Sequence, residues 1–255
     1  ARSVYKRQMI SPLMKKILFI VNPISGKGKQ KNIASVIERY LDKDKFSFKL
    51  KFTKNQNHAK EIILKQRDYF DILIAVGGDG SVNQMGTLLI NSQVIFGIVP
   101  AGSGNGLARH LKIPLNFKGA INVINSYRKP MKIDVAKIND EYFLSTAGTG
   151  FDAQVAWKFS TSSTRGFLTY AKITLRELFK YRIKKYELIF NDQIIEIPAF
   201  IITIANSNQY GNNAYISPES KLDAVSYTHL RAHEPVLELV CRLRLEKKKG
   251  GGGGG

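Results

Sequence analysis

The chain has one cysteine, one tryptophan and four histidines in 255 residues. A single thiol excludes an internal disulfide framework and any cysteine-rich zinc site. Acids are also scarce, 20 against 39 lysines and arginines, giving a formal net charge of +19. That balance admits nucleic acid, an anionic membrane or a polyphosphate substrate, and does not choose among them. No apolar run approaches about 18 residues, so nothing reads as a bilayer-spanning helix. The amino terminus lacks the basic, apolar and small-residue order of a secretory signal, which favours the cytoplasm. Disorder is not the general state either, because 44% of residues are hydrophobic and can form a core.

Short apolar runs fill the first half. Residues 16–22, 70–76 and 94–100 read as buried strands, and the strictly alternating 46–52 as a half-buried one. Between them, 30–41, 57–66 and 82–90 read as helices; Ile33, Ile37, Tyr40 and Leu41 share one face of the first. Strand and helix alternating at this spacing imply an α/β class, with a mostly parallel sheet covered on both faces. The pattern changes after Ser126. "MKIDVAKIND" and "EYFLSTAG" alternate across an Asn-Asp turn, and "YELIFND" with "IIEIPAFIITIANS" repeats this, as antiparallel strands would. The expected organisation is an α/β domain over 14–126 and a β-rich domain over 127–223.

The ends are set apart. Residues 1–13 read as a non-native or disordered leader before "MKKILFIVNP". Residues 224–255 carry no turn signals or period, and "VSYTHLRAHE" reverse-translates into codons resembling a sequencing-library adapter. On that reading His229, His233 and Cys241 carry no chemistry. Each end contributes three net positive charges, so 14–224 still holds +13. His58 and His110 have no partner spacing and receive no role, and Trp157 is expected in the core or lining a cleft.

Three glycine-rich stretches follow strands: "NPISGKGK" (22–29), "GGDGSVNQ" (77–84) and "PAGSGNGLARHL" (100–111). None is a P-loop or a dinucleotide fingerprint. Each alone is most simply a corner in the chain. At the same edge of one sheet they read better as a polyphosphate cradle, with glycine N–H groups and helix N-termini facing the anion. Ser25, Ser81, Ser103 and Asn105 add hydrogen-bond donors. Asp79 is a poor neighbour for phosphates unless a metal ion or a proton transfer requires it.

In this order and spacing the three stretches resemble the diacylglycerol/sphingosine lipid kinase family, above all its bacterial members that phosphorylate diacylglycerol-like lipids with ATP. The resemblance runs from about Lys15 to Asp223. It implies a three-layer nucleotide domain followed by a β-sandwich-like lipid-substrate domain, incomplete here, with ATP and Mg²⁺ as cofactors. Carried over by position, Asn22, Ser25 and Gly26 contact the nucleotide. Gly77, Gly78, Gly80 and Ser81 surround the phosphates, as do Gly102, Ser103 and Asn105. Asp79 matches the essential acidic residue, serving metal or base. "GTGFDAQV" turns Asp152 toward the lipid head or the ordering of the cleft, and residues 206–223 resemble a segment leading to a metal-supporting turn at Asp223. Two departures stand out. Gln84 replaces the family's usual Glu, and the Asp-Gly-Glu turn that deprotonates the acceptor hydroxyl would lie beyond Asp223. The chain as printed is therefore expected to be inactive.

Residues 165–188 contain an amphipathic helix with Leu168, Ala171, Leu175, Leu178 and Phe179 on one side and Lys172, Arg176 and Lys180 at i, i+4, i+8. Two readings stay open: a patch drawn to an anionic membrane surface, making the enzyme peripheral, or a packed helix with a solvated basic face. Two other functions compete with the lipid kinase. One is a phosphotransferase like the NAD kinases, which share the middle glycine motif. The other is a non-catalytic basic module for membrane or nucleic acid, although the aromatic interleaving of single-strand binders is lacking. Neither the lipid acceptor nor the oligomeric state can be read.

Overall fold

The computed structural model describes residues 14–26, 29–162, 167–190, 193–211, 214–215, 222 and 236–242. It divides into two compact units, 1–132 with 210–214, and 133–209 with 215–255.

The first unit is built on four parallel strands: β1 (Lys15–Val21), β2 (Phe46–Phe52), β3 (Ile72–Gly77) and β4 (Ile95–Pro100), in the order β2-β1-β3-β4. Helices α1 (Ile33–Tyr40), α2 (Gln56–Gln66), α3 (Asp79–Thr87), α4 (Gly106–His110) and α5 (Phe117–Ser126) connect and follow them. All six residues of β3 and the last five of β1 are buried. Strands covered on both faces must be apolar at every position, which is why these runs do not alternate. Ile17, Phe19 and Val21 join Ile33 and Ile37 of α1 and Ala120, Ile121 and Ile124 of α5 in one cluster. Leu18, Ile20 and Leu73, pointing the other way, are equally buried, as are Ile62 and Ile63 of α2 and Val82 and Met85 of α3. The result is three layers. Asn55 and Asn116 cap α2 and α5, accepting from His58 N–H at 2.9 Å and Gly119 N–H at 2.7 Å; such caps contribute about 1 kcal/mol each.

Helix α3 begins at Asp79, three residues before the expected start at Val82. Gly78 caps it in extended conformation, and an acid in the first turn suits the positive end of the helix dipole. The segment that looks like a glycine loop is the helix's own first turn.

In the second unit, β5 (Val135–Ile138) and β6 (Glu141–Phe143) form a hairpin around Asn139, whose φ of 53° gives the left-handed turn asparagine tolerates. β7 (Thr146–Gly150) leads directly into α6 (Phe151–Thr161), and α7 (Phe167–Leu178) packs on α6. β8 (Lys184–Phe190) and β9 (Gln193–Ala199) make a second hairpin, and β10 (Ile201–Ala205) pairs antiparallel with β7. Two short strands follow, β11 (Gln209–Gly211) and β12 (Ala214–Tyr215). β13 (Val236–Arg242) lies in the stretch whose codons resemble an adapter. It runs parallel to β5 and antiparallel to β8, completing the order β6-β5-β13-β8-β9. Ladder hydrogen bonds are made by backbone, so a segment such as VLELVCR can supply them whatever its origin.

Candidate functional site

In a parallel sheet, the segments leaving the carboxyl ends of neighbouring strands share one edge. The register sets Val21 beside Val76 and Val76 beside Val99, so the chains continuing into Asn22, Gly77 and Pro100 leave the sheet side by side. The three glycine-rich stretches therefore meet.

The first stretch closes on itself. The Asn22 carbonyl accepts from Ser25 N–H at 3.3 Å, and Asn22 Oδ1 accepts from Ile24 N–H at 3.1 Å. Gln30, 1% exposed, donates its side-chain amide to the Asn22 carbonyl at 3.2 Å and also to the Ser25 carbonyl. Two carbonyl dipoles that would repel an anion are thus occupied within the protein. Sequence reasoning missed Gln30, and no pattern marks it: its partners are main-chain oxygens.

Side chains and close backbone contacts then join the stretches. Asn22 Nδ2 donates to Ser81 Oγ at 2.9 Å, and Ala101 N–H to the Gly77 carbonyl at 2.8 Å. A Cβ at Gly102 would lie 2.5 Å from Gly78 Cα, and one at Gly77 2.6 Å from Ser81 Cβ. Gly26 has φ +60° and faces the Ala101 carbonyl, where a Cβ would approach to 2.3 Å. These three glycines are required by the protein's own packing. Gly80 is not. A Cβ built there meets nothing within 4 Å, and the residue sits in the first turn of α3 without a positive φ. Helix propensity alone would favour another residue by up to about 1 kcal/mol.

Asp79 is held on both sides. Its Oδ2 accepts from Asn105 N–H at 2.8 Å and its Oδ1 from Gly106 N–H at 2.6 Å, linking the first turn of α3 to the start of α4. Burial pushes its carboxyl above the usual range, while the hydrogen bonds from Gly106 and Asn105 pull it back. Asn105 is itself in the left-handed region at φ 54°, and its side chain brackets Gly102, accepting from the N–H at 3.0 Å and donating to the carbonyl at 2.8 Å. The N–H groups of Gly102, Asn105 and Gly106 are therefore engaged internally, and Ser103 is the exposed member of the third stretch.

The other expected residues lie elsewhere. Asp152 belongs to the second unit, in the first turn of α6, with Oδ1 accepting from Ala153 N–H at 2.7 Å. Asp223 lies outside the described residues. Among the described residues no group of three or more His, Cys, Asp or Glu could hold a metal. Lys172, Arg176 and Lys180 are exposed on or just after α7. Trp157, expected in the core or lining a cleft, is 65% exposed on α6. Behind α7, the buried Glu177 pairs with Lys158 at 2.7 Å and accepts from Gln154 at 2.7 Å, contacts that hold its carboxyl low.

Residues 16–138 match the diacylglycerol kinase catalytic domain, and residues 145–224 the YegS C-terminal NAD kinase beta sandwich-like domain. The chain belongs to the diacylglycerol kinase family of lipid kinases. Its fold is that of the family, an α/β sheet domain followed by a β-sandwich-like one. It is 29% identical over 222 residues to a diacylglycerol kinase of Bacillus subtilis, covering 82% of this chain and 71% of that protein. A diacylglycerol kinase of Staphylococcus haemolyticus is 28% identical over 216 residues, 82% of this chain and 64% of that protein. The crystal structure of a diacylglycerol kinase from Bacillus anthracis superposes with a TM-score of 0.62 at 26% identity, covering 83% of this chain and 71% of that one. Among the described residues no helix is long and apolar enough to cross a membrane.

Proposed function

We propose that this chain carries the nucleotide site of an ATP-dependent lipid kinase, transferring the γ-phosphate to the hydroxyl of a diacylglycerol-like lipid. The observation that carries the reading is Gly80. Neither packing nor backbone conformation asks for glycine there, so the open space beside it is what a side chain would obstruct. That space adjoins the first turn of α3, whose main-chain N–H groups and positive dipole end suit a phosphate. Phosphoryl transfer asks a protein mainly for positioning and for compensation of charge. Here Asn22 and Ser81 tie the first stretch to α3, and the third stretch is braced by Asn105. Such a cradle suits a polyphosphate like that of ATP. Magnesium is implied by the family; among the described residues no group of three or more His, Cys, Asp or Glu is placed to hold it.

The decisive test is Gly80→Ala, read by melting temperature and by titration with a fluorescent ATP analogue. The melting temperature should hold or rise, while affinity falls by about tenfold or more, or about 1.4 kcal/mol. Unchanged affinity would defeat the nucleotide reading.

The lipid acceptor is supported by the names of the relatives and by the solvent face of α7. Leu168, Leu175 and Phe179 are exposed, at 84%, 58% and 82%, and at about 100° per residue they cluster beside Lys172 and Arg176 on the same side. The apolar side faces solvent and Glu177 lies on the buried side, which favours an anionic membrane as the partner of Lys172, Arg176 and Lys180. Changing all three cations to Glu should abolish co-sedimentation with vesicles containing anionic phospholipid. Full retention on the vesicles would sink the membrane reading.

A further inference from the structure

A carboxylate among phosphate-binding glycines invites a metal or a proton as its partner, yet each Asp79 oxygen already has a different one. Two consecutive main-chain donors, Asn105 N–H and Gly106 N–H, reach one oxygen each, at 2.8 and 2.6 Å, from 26 and 27 residues away in sequence. We propose that Asp79 is a positioning residue, a clasp that fixes the third stretch and the start of α4 onto α3 so that the cradle exists before nucleotide arrives.

Three features of the third stretch require such a clasp. Helix α4 has five residues, far below the length at which a helix holds itself in water. Its N-cap, Asn105, sits in the left-handed region, a conformation that asparagine tolerates but that does not by itself hold the turn in place. The Asn105 side chain does not cap α4; it brackets Gly102, leaving the first amides of the helix to another acceptor. Asp79 is that acceptor. Hydrogen bonds to an ionised group are about twice as strong as neutral ones, and here they offset part of the cost of burying the charge. The chain between the two ends of the clasp includes Gly102, which lies against Gly78 with no room for a Cβ. Releasing the clasp therefore frees one wall of the cradle as a unit.

The geometry stands by itself; its consequence for nucleotide binding rests on the proposed ATP site, and the experiment separates the two. Hydrogen exchange of the whole chain, without nucleotide or metal, is followed over residues 101–111 in the parent, Asp79→Asn and Asp79→Ala. The clasp predicts exchange at 105 and 106 faster by about tenfold or more in the Ala variant, which lacks both acceptor oxygens. The Asn variant, which keeps one acceptor oxygen and the same shape, should fall between and gives the reading if the Ala variant does not fold. In a second arm, Asp79→Asn weakens binding of a fluorescent ATP analogue by the same factor with and without magnesium. Parental exchange rates in both variants would overturn the proposal. So would a loss of affinity seen only when magnesium is present, the signature of a metal ligand. If the parent binds no analogue at all, the ATP reading fails while the exchange result still decides the clasp.

Discussion

The two units place their apolar residues differently. In β3 every residue is buried, whereas the first four residues of β9 are exposed, including Ile194 and Ile195. The first unit's parallel sheet lies between two helical layers, so β3 and the last five residues of β1 are apolar throughout and each position there is fixed by packing. The second unit's β8–β9 hairpin leaves apolar side chains in solvent, as do Leu168 and Leu175 of α7 and Phe179 just after it. A covered sheet can hold loops at its edge to within tenths of an ångström, as a site for a small polyanion requires. Exposed apolar surface suits contact with something larger.

That contrast can be broken by substitution. Phe19→Ala, in the fully buried cluster of the first unit, should cost about 3–5 kcal/mol in urea unfolding, a large share of a typical domain's stability. Ile194→Thr in β9 should change the same midpoint by no more than about 0.5 kcal/mol. Equal losses would mean that the two surfaces are not packed differently. A finer version compares glycines. Gly102→Ala must push apart two backbones and should destabilise by roughly 1–3 kcal/mol. Gly80→Ala should be neutral or stabilising by up to about 1 kcal/mol. If Gly80→Ala destabilises as much as Gly102→Ala, the open space beside Gly80 is structural and does not point to a ligand.

The sequence discloses what depends on near neighbours. Continuous apolar runs name β1 and β3, and strict alternation names β2. The glycines after those runs predict where the chain turns and, through the parallel topology, that the turns share an edge. What it withholds depends on partners distant in the chain. The acceptor role of Asp79 is invisible because its donors are amides of residues 105 and 106, which have no side-chain signature. Gln30 is hidden for the same reason. The start of α3 was read three residues late because Gly-Asp-Gly-Ser looks like a loop, although Gly78 caps the helix and Asp79 suits its first turn. For α7, periodicity separated an apolar from a basic side but could not say which side met solvent; the structure exposes both and buries Glu177. Trp157 was expected inside because of its residue type, and α6 turns it outward.

The smallest effect contrasts one acid from each unit. The folded carboxyl of Asp79 is raised above its ordinary 3.8 by burial, whereas that of Glu177 is lowered from 4.5, first by the hydrogen bond from Lys158. The signs follow by linkage. A raised acid binds its proton more tightly when folded, so its contribution to stability declines as pH climbs from 3.8 through the raised folded value. A lowered acid stabilises above 4.5, and that stability is lost as pH falls through its lowered folded value. Urea midpoints measured from about pH 3 to pH 7 should therefore lose part of their alkaline-side decline in Asp79→Asn and part of their acid-side decline in Glu177→Gln. Each substitution should leave the other decline intact, because the two acids belong to different units. If Asp79→Asn shifts the curve without changing its shape, the Asp79 carboxyl does not differ in proton affinity between folded and unfolded chain, and burial at the clasp is fully offset by the amides of Asn105 and Gly106.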